Sequence, residues 1–121
     1  VAMFAGDGLL YQQLADRIAE DILVGTYPEG SGVPSTNEYA TFYQMSPITA
    51  AKGLNLLVEQ GVLYKKRGVG MFVAAGARSK LQSRRRAAFT ESHVVPLVRE
   101  ARLLHIHKDE LAEMIDKEAS K

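Results

Sequence analysis

The chain contains no cysteine. That excludes a disulfide-stapled scaffold and any metal site built on thiolates, and it fits a reducing compartment. Long apolar runs are also missing: nothing approaches the roughly 18 residues that a membrane-spanning helix requires. Val1 to Gly8 show no basic stretch followed by an apolar one, so no signal peptide is expected and the protein is expected to be soluble and cytoplasmic. Excess charge of one sign is absent, with 15 Lys and Arg against 14 Asp and Glu. Net charge alone is therefore a poor argument for a polyanionic partner. No repeat or low-complexity segment is visible. Neither is a Ser/His/Asp set or a pair of buried carboxylates, and Gly68-Val69-Gly70 is too short and wrongly placed to cradle a nucleotide. No enzyme and no cofactor are expected.

What remains is a chain of 121 residues, 46% of them hydrophobic. By the prior of roughly 100–200 residues per domain, that is one domain, or one domain with a small appendage. The balanced charge hides a local asymmetry. Residues 1–75 carry five Lys and Arg against seven Asp and Glu, a net −2; residues 76–121 carry ten against seven, a net +3. Positive charge gathers at Lys65-Lys66-Arg67, at Lys52, and from Arg78 to Arg86. Acidic groups gather at Asp16, Glu20 and Asp21. The spacing predicts one basic face and one that repels phosphates.

Leu10, Leu14, Ile18 and Ile22 recur every fourth residue, widened by Ala15, Ala19 and Leu23, which predicts an amphipathic first helix. Arg17 and Asp21 form an i,i+4 pair on its outside. Gly25 and Pro28-Glu29-Gly30 end it, and Val33 is expected to form a single bridge of strand. Ser35 followed by Glu38 is a capping box that opens a short second helix ending near Tyr43-Gln44. Ser46 as N-cap and Pro47 at the first helical position open a third. So short a connection makes the two helices cross steeply, as in a helix-turn-helix.

At 100° per residue, Ala50, Gly53, Leu54 and Leu57 share the core face of the third helix. Ile48, Lys52, Asn55 and Glu59 share the opposite face, flanked by Thr49 and Ala51. An exposed isoleucine beside a lysine suits a helix that enters a major groove, where an apolar side chain can meet a thymine methyl. Gly61 ends the helix. Val62-Leu63-Tyr64 and Met71-Phe72-Val73 then read as the arms of a hairpin whose turn needs Gly68 and Gly70. The expected fold is mainly α with a small β-hairpin: a winged helix-turn-helix over residues 1–75, followed by an α-helical hairpin over 76–121.

In that second part Leu81, Ala88 and Val95 lie seven residues apart, Pro96 kinks or restarts the helix, and Lys108 to Lys117 form the last one. Leu81, Ala88, Val95, Val98, Leu104, Leu111, Met114 and Ile115 offer more apolar surface than two helices can bury in each other, which predicts a homodimer. Arg84-Arg85-Arg86, with Arg78 and Lys80, read first as a solvated helix face and, as the alternative, as a patch that reaches DNA beside the half-site. His105, His107 and Asp109 alternate in a loop, poor spacing for metal ligands. His107 reads instead as the start of the last helix, with Asp109 and Glu110 favouring its first turn.

The set Tyr11-Gln12-Gln13-Leu14, Gly25, Pro28-Glu29-Gly30, Val33-Pro34-Ser35, Glu38, Ala40, Thr49, Leu57, Gly61 and Gly68 to Val73 resembles the N-terminal DNA-binding domain of the GntR family of bacterial transcription regulators. The short two-helix tail is similar to the YtrA-type subfamily, which lacks a large effector domain. The resemblance implies a homodimeric repressor that reads a pseudo-palindrome in double-stranded DNA. Thr49 matches the family's threonine, and Lys52 a basic position of the YtrA-type branch. The family's usual arginines are replaced by Asn37, Pro47 and Ala51, and at the wing by Val69, with Met71 for a threonine. The expected DNA-binding set is Ser35, Thr36 and Asn37 at the phosphate-holding start of the second helix; Ser46 and Pro47 at the start of the third; Ile48, Thr49, Lys52 and Asn55 facing base edges; and Lys65, Lys66, Arg67, Gly68, Val69 and Gly70 along the backbone or minor groove. Two other readings of the same residues are a winged-helix protein-interaction module and a sensor with a small molecule or metal at the C-terminal hairpin interface.

Overall fold

A computed structural model of the protein describes residues 9–121. Val1 to Gly8, read above for a signal peptide, lie outside the described residues. The molecule is mainly helical with one two-stranded antiparallel hairpin. In chain order the elements are α1 (Leu10–Leu23), α2 (Thr36–Tyr43), α3 (Pro47–Glu59), β1 (Leu63–Lys66), β2 (Gly70–Val73), α4 (Ala77–Phe89), a five-residue π segment (Thr90–Val94), α5 (Val95–Leu103) and α6 (Lys108–Ala119). No helix among the described residues is long and apolar enough to cross a membrane.

The first compact unit ends at Ser83. Leu14, Ala15, Ile18 and Ile22 bury the expected stripe of α1, while Ala19 and Leu23 pack at its edge. Leu10 does not join them: it is the first residue of the helix and stays 44% exposed. Arg17 pairs with Asp21 at 3.6 Å on the outer face. Across the core, α3 contributes Ala50, Leu54 and Leu57, and α2 contributes Tyr39, Ala40 and Tyr43. Gly53 sets the closeness of α1 and α3, because a Cβ there would lie 2.8 Å from the Tyr11 carbonyl oxygen.

Two caps fix the ends of α2 and α3. The Ser35 hydroxyl accepts the Glu38 N–H at 3.1 Å, and the Glu38 carboxylate accepts the Ser35 N–H at 2.8 Å. The Ser46 hydroxyl accepts the Thr49 N–H at 3.1 Å, with Pro47 opening α3. Gln44 adopts a left-handed conformation, φ 55°, which turns the chain sharply between the two helices.

The hairpin pairs Leu63 with Val73, Tyr64 with Phe72, Lys65 with Met71 and Lys66 with Gly70. β1 thus begins one residue later than expected and runs on to Lys66. The additional bridge lies at Gly32 opposite Phe72, not at Val33. Val33 instead donates its N–H to the Met71 carbonyl at 3.0 Å and turns its side chain to the core.

Ala77 and Leu81, from the start of α4, are 0% and 5% exposed in the core of this first unit. The unit therefore continues past residue 75, where the sequence suggested a boundary. Leu81 also leaves the set offered to a second chain, because its side chain is already buried within its own.

The second unit comprises Arg84–Lys121. Pro96 has no N–H to bond back along the helix; the π segment lies just before it, and α5 starts with Pro96 in its first turn. His105, φ 56°, closes the connection after α5, and α6 follows with Asp109 and Glu110 in its first turn. Phe89, Leu97, Leu103, Leu104, Met114 and Ile115 stand exposed on this unit, and Val95, Val98 and Leu111 are half-buried.

Candidate nucleic-acid interface

A helix held by Ser46 and Pro47 at one end and packed on α1 through Gly53 presents a defined outer face. Ile48, Lys52, Asn55 and Glu59 are all exposed on it. Ile48 is 82% exposed, an extreme value for an isoleucine on a well-packed helix. Thr49 is half-buried on the flank, and its hydroxyl lies 2.9 Å from that of Ser46. The two hydroxyls hold each other at the helix entrance.

Lys52 is the only basic side chain from Thr36 to Glu59. Its ammonium lies 4.9 Å from the centre of the Tyr11 ring on α1. Sequence spacing gives no sign of this contact, because nothing local relates residue 11 to residue 52.

The start of α2 and the hairpin enclose a groove of 460 Å³. Ser35, Thr36 and Asn37 line one wall, and Lys65, Lys66, Gly68, Val69 and Gly70 the other. Residues far apart in the chain, expected from sequence to meet a phosphate backbone, are thus brought together. The first turn of a helix leaves N–H groups without helical acceptors, and the residues that open α2 line this groove. The Glu38 carboxylate occupies part of that end. Its hydrogen bond from the Ser35 backbone, then that from the Ser35 side chain, holds its carboxyl below the usual range, so it stays ionised.

The pleat of the hairpin divides its cations. Lys65 shares a face with Leu63, Met71 and Val73, whereas Lys66 shares the other with Tyr64 and Phe72. The Lys66 ammonium sits 5.1 Å from the centre of the Phe72 ring, and that ring stacks on Tyr64 at 5.7 Å. Arg67 is exposed at the turn, where Gly68 takes φ 75°.

A larger hollow, 660 Å³, lies along α2 and is lined chiefly by Tyr27, Tyr39, Phe42 and Tyr43. Burial pushes the phenols of Tyr39 and Tyr43 up, and the Tyr39 hydroxyl donates to that of Tyr27 at 3.3 Å. Among the described residues no lysine or arginine lines this hollow, and Glu38 lines both it and the smaller groove. Lys65 and Lys66 line the smaller groove, which makes it the better candidate for a polyanion.

The family model described as bacterial regulatory proteins, gntR family, matches residues 10–73. A probable fructoselysine utilization operon transcriptional repressor of Escherichia coli (strain K12) is 42% identical over 65 residues, 54% of this chain and 27% of that protein. This chain thus spans about a quarter of the length of such relatives. The transcriptional repressor YtrA of Bacillus subtilis (strain 168) is 29% identical over 72 residues, 60% of this chain and 55% of that one. Among solved structures, a GntR-family protein from Bacteroides thetaiotaomicron superposes with a TM-score of 0.71 at 36% identity, over 92% of this chain and 96% of that one. The DNA-binding domain of AraR, solved in complex with operator ORX1, superposes with a TM-score of 0.58 at 30% identity, over 61% of this chain and 95% of that one.

Proposed function

The chain belongs to the gntR family of bacterial regulatory proteins, and from that premise we propose that it is a sequence-specific DNA-binding transcriptional repressor acting as a homodimer on a pseudo-palindromic operator. The observation that carries the proposal is the joint exposure of Ile48, Lys52 and Asn55 on α3 beside a groove that gathers Ser35 to Asn37 with Lys65 and Lys66. α3 enters the major groove; the start of α2 and the hairpin take the flanking phosphates. The AraR domain, crystallised on operator DNA, supports this docking by its likeness in fold.

The exposed apolar residues of the second unit, Leu104, Met114 and Ile115 among them, support pairing with a second copy. Two-fold pairing places two α3 helices on half-sites about one helical turn apart. A YtrA-like assignment is supported by the 29% identity to that repressor over 72 residues, although the E. coli repressor has the higher identity over 65.

Selection of bound duplexes from a random-sequence pool tests the reading. A pseudo-palindromic consensus is expected. Lys52→Ala lowers affinity for the selected duplex, and Arg67→Ala lowers affinity for every duplex and reduces the salt slope by about 1. No enrichment, or unchanged binding by both variants, overturns it.

A further inference from the structure

We infer that Tyr11 is a positioning residue for base recognition: its ring aims the one cation of the helix-turn-helix. This rests on the proposed reading of DNA by α3.

Lys52 carries the only positive side chain from Thr36 to Glu59, so any base or phosphate contact of α3 that needs a cation depends on it. A lysine ammonium on a four-carbon stem samples many rotamers, and fixing it on binding costs affinity. Here the ammonium already lies 4.9 Å from the Tyr11 ring centre, inside the roughly 6 Å reach of a cation–π contact. The ring is itself held. Tyr11 is half-buried, and its carbonyl oxygen lies against Gly53, the residue next to Lys52, where no Cβ would fit. α1 and α3 are therefore registered to each other at the point where ring and ammonium meet.

The chemistry of the brace matters. A carboxylate would fix the lysine equally well but would cancel its charge before DNA arrived. An aromatic face restrains the ammonium, leaves its full charge, and leaves N–H groups directed away from the ring free to donate to a base edge. The wing repeats the device, with Lys66 over Phe72 at 5.1 Å. A protein with few cations at its interface gains most from having each one preset.

The test uses the full chain and a duplex recovered by selection from a random-sequence pool. Tyr11→Leu keeps an apolar side chain and removes the ring; Tyr11→Phe keeps the ring and removes the hydroxyl. Tyr11→Leu should weaken the selected duplex about two- to fivefold while leaving an unselected duplex unchanged. Tyr11→Phe should bind as the parent does. In a Lys52→Met background, Tyr11→Leu should cause no further loss, because the pair acts as a unit. An equal loss in that background, or none in the parent, overturns the inference. If Tyr11→Leu does not fold, the Lys52 ε-methylene protons of the parent decide: a ring-current shift retained in the DNA complex supports the brace, and its loss on binding overturns it. No effect of Lys52→Met itself refutes instead the reading of DNA by α3.

Discussion

The Glu29 carboxylate accepts the Gly76 backbone N–H at 2.9 Å, across 47 positions of the chain. Its second oxygen accepts the Arg78 N–H at 3.2 Å. One side chain from the turn after α1 thus caps the start of α4, supplying negative charge where first-turn N–H groups need acceptors. Glu29→Ala should destabilise the protein by about 1–2 kcal/mol in urea unfolding, the range for losing an N-terminal cap. Glu29→Gln, which keeps one acceptor, should lose less. Equal stability of parent and Glu29→Ala would show the cap to be idle.

Gly53 tests the α1–α3 crossing. A methyl group there would meet the Tyr11 carbonyl at 2.8 Å and Leu14 Cδ2 at 3.2 Å. Backbone on one side cannot rotate away, so Gly53→Ala should cost about 1–3 kcal/mol despite the better helix propensity of alanine. A stabilised variant in thermal or urea unfolding would show that the helices can part at no cost.

The capping box of α2 should titrate. Hydrogen bonds from Ser35 hold the Glu38 carboxyl below its ordinary 4.5. A group depressed in the folded state stabilises it fully above the unfolded value and ceases to do so as pH falls through the folded value. The contribution is thus present above about pH 4.5 and fades below it. Glu38→Gln should flatten that part of the stability–pH curve without altering stability trends near neutrality. An unchanged acid limb in Glu38→Gln would remove Glu38 from the acid response.

Leu81 and Ile115 should separate folding from pairing. Leu81 is 5% exposed within the first unit, so Leu81→Ala should cost about 2–5 kcal/mol in unfolding experiments. Ile115 is 51% exposed, and Ile115→Asp should leave the fold intact while shifting the sedimentation coefficient toward a monomer. A parent that sediments as a monomer at micromolar concentration overturns the proposed pairing.

Much of the fold was legible because its signals are local. Ser35 and Glu38 lie three residues apart, as do Ser46 and Thr49, and both caps form. The two faces of α3 follow from the helical period alone, with Ala50, Gly53, Leu54 and Leu57 buried and Ile48, Lys52 and Asn55 exposed. The hairpin was legible from its glycines, but its register was not, since pairing depends on which strand neighbours it. That is why the bridge appears at Gly32 instead of Val33.

Periodicity identifies an apolar position without saying what covers it. Leu81 and Ile115 look alike in sequence, as apolar residues on helices of the second half. Leu81 is buried in the winged-helix core, and Ile115 is left exposed. Likewise, Lys52 is visible as a lone cation on an outer face, but the ring beneath it comes from α1. By itself the sequence determined the helix limits, the caps, the faces and the scarcity of positive charge in the helix-turn-helix, because each depends on neighbours three or four residues away. Tertiary structure alone decided that Tyr11 meets Lys52, that Glu29 caps α4, and that the groove joins α2 to the wing. Those relations depend on chain crossings, which no local spacing encodes.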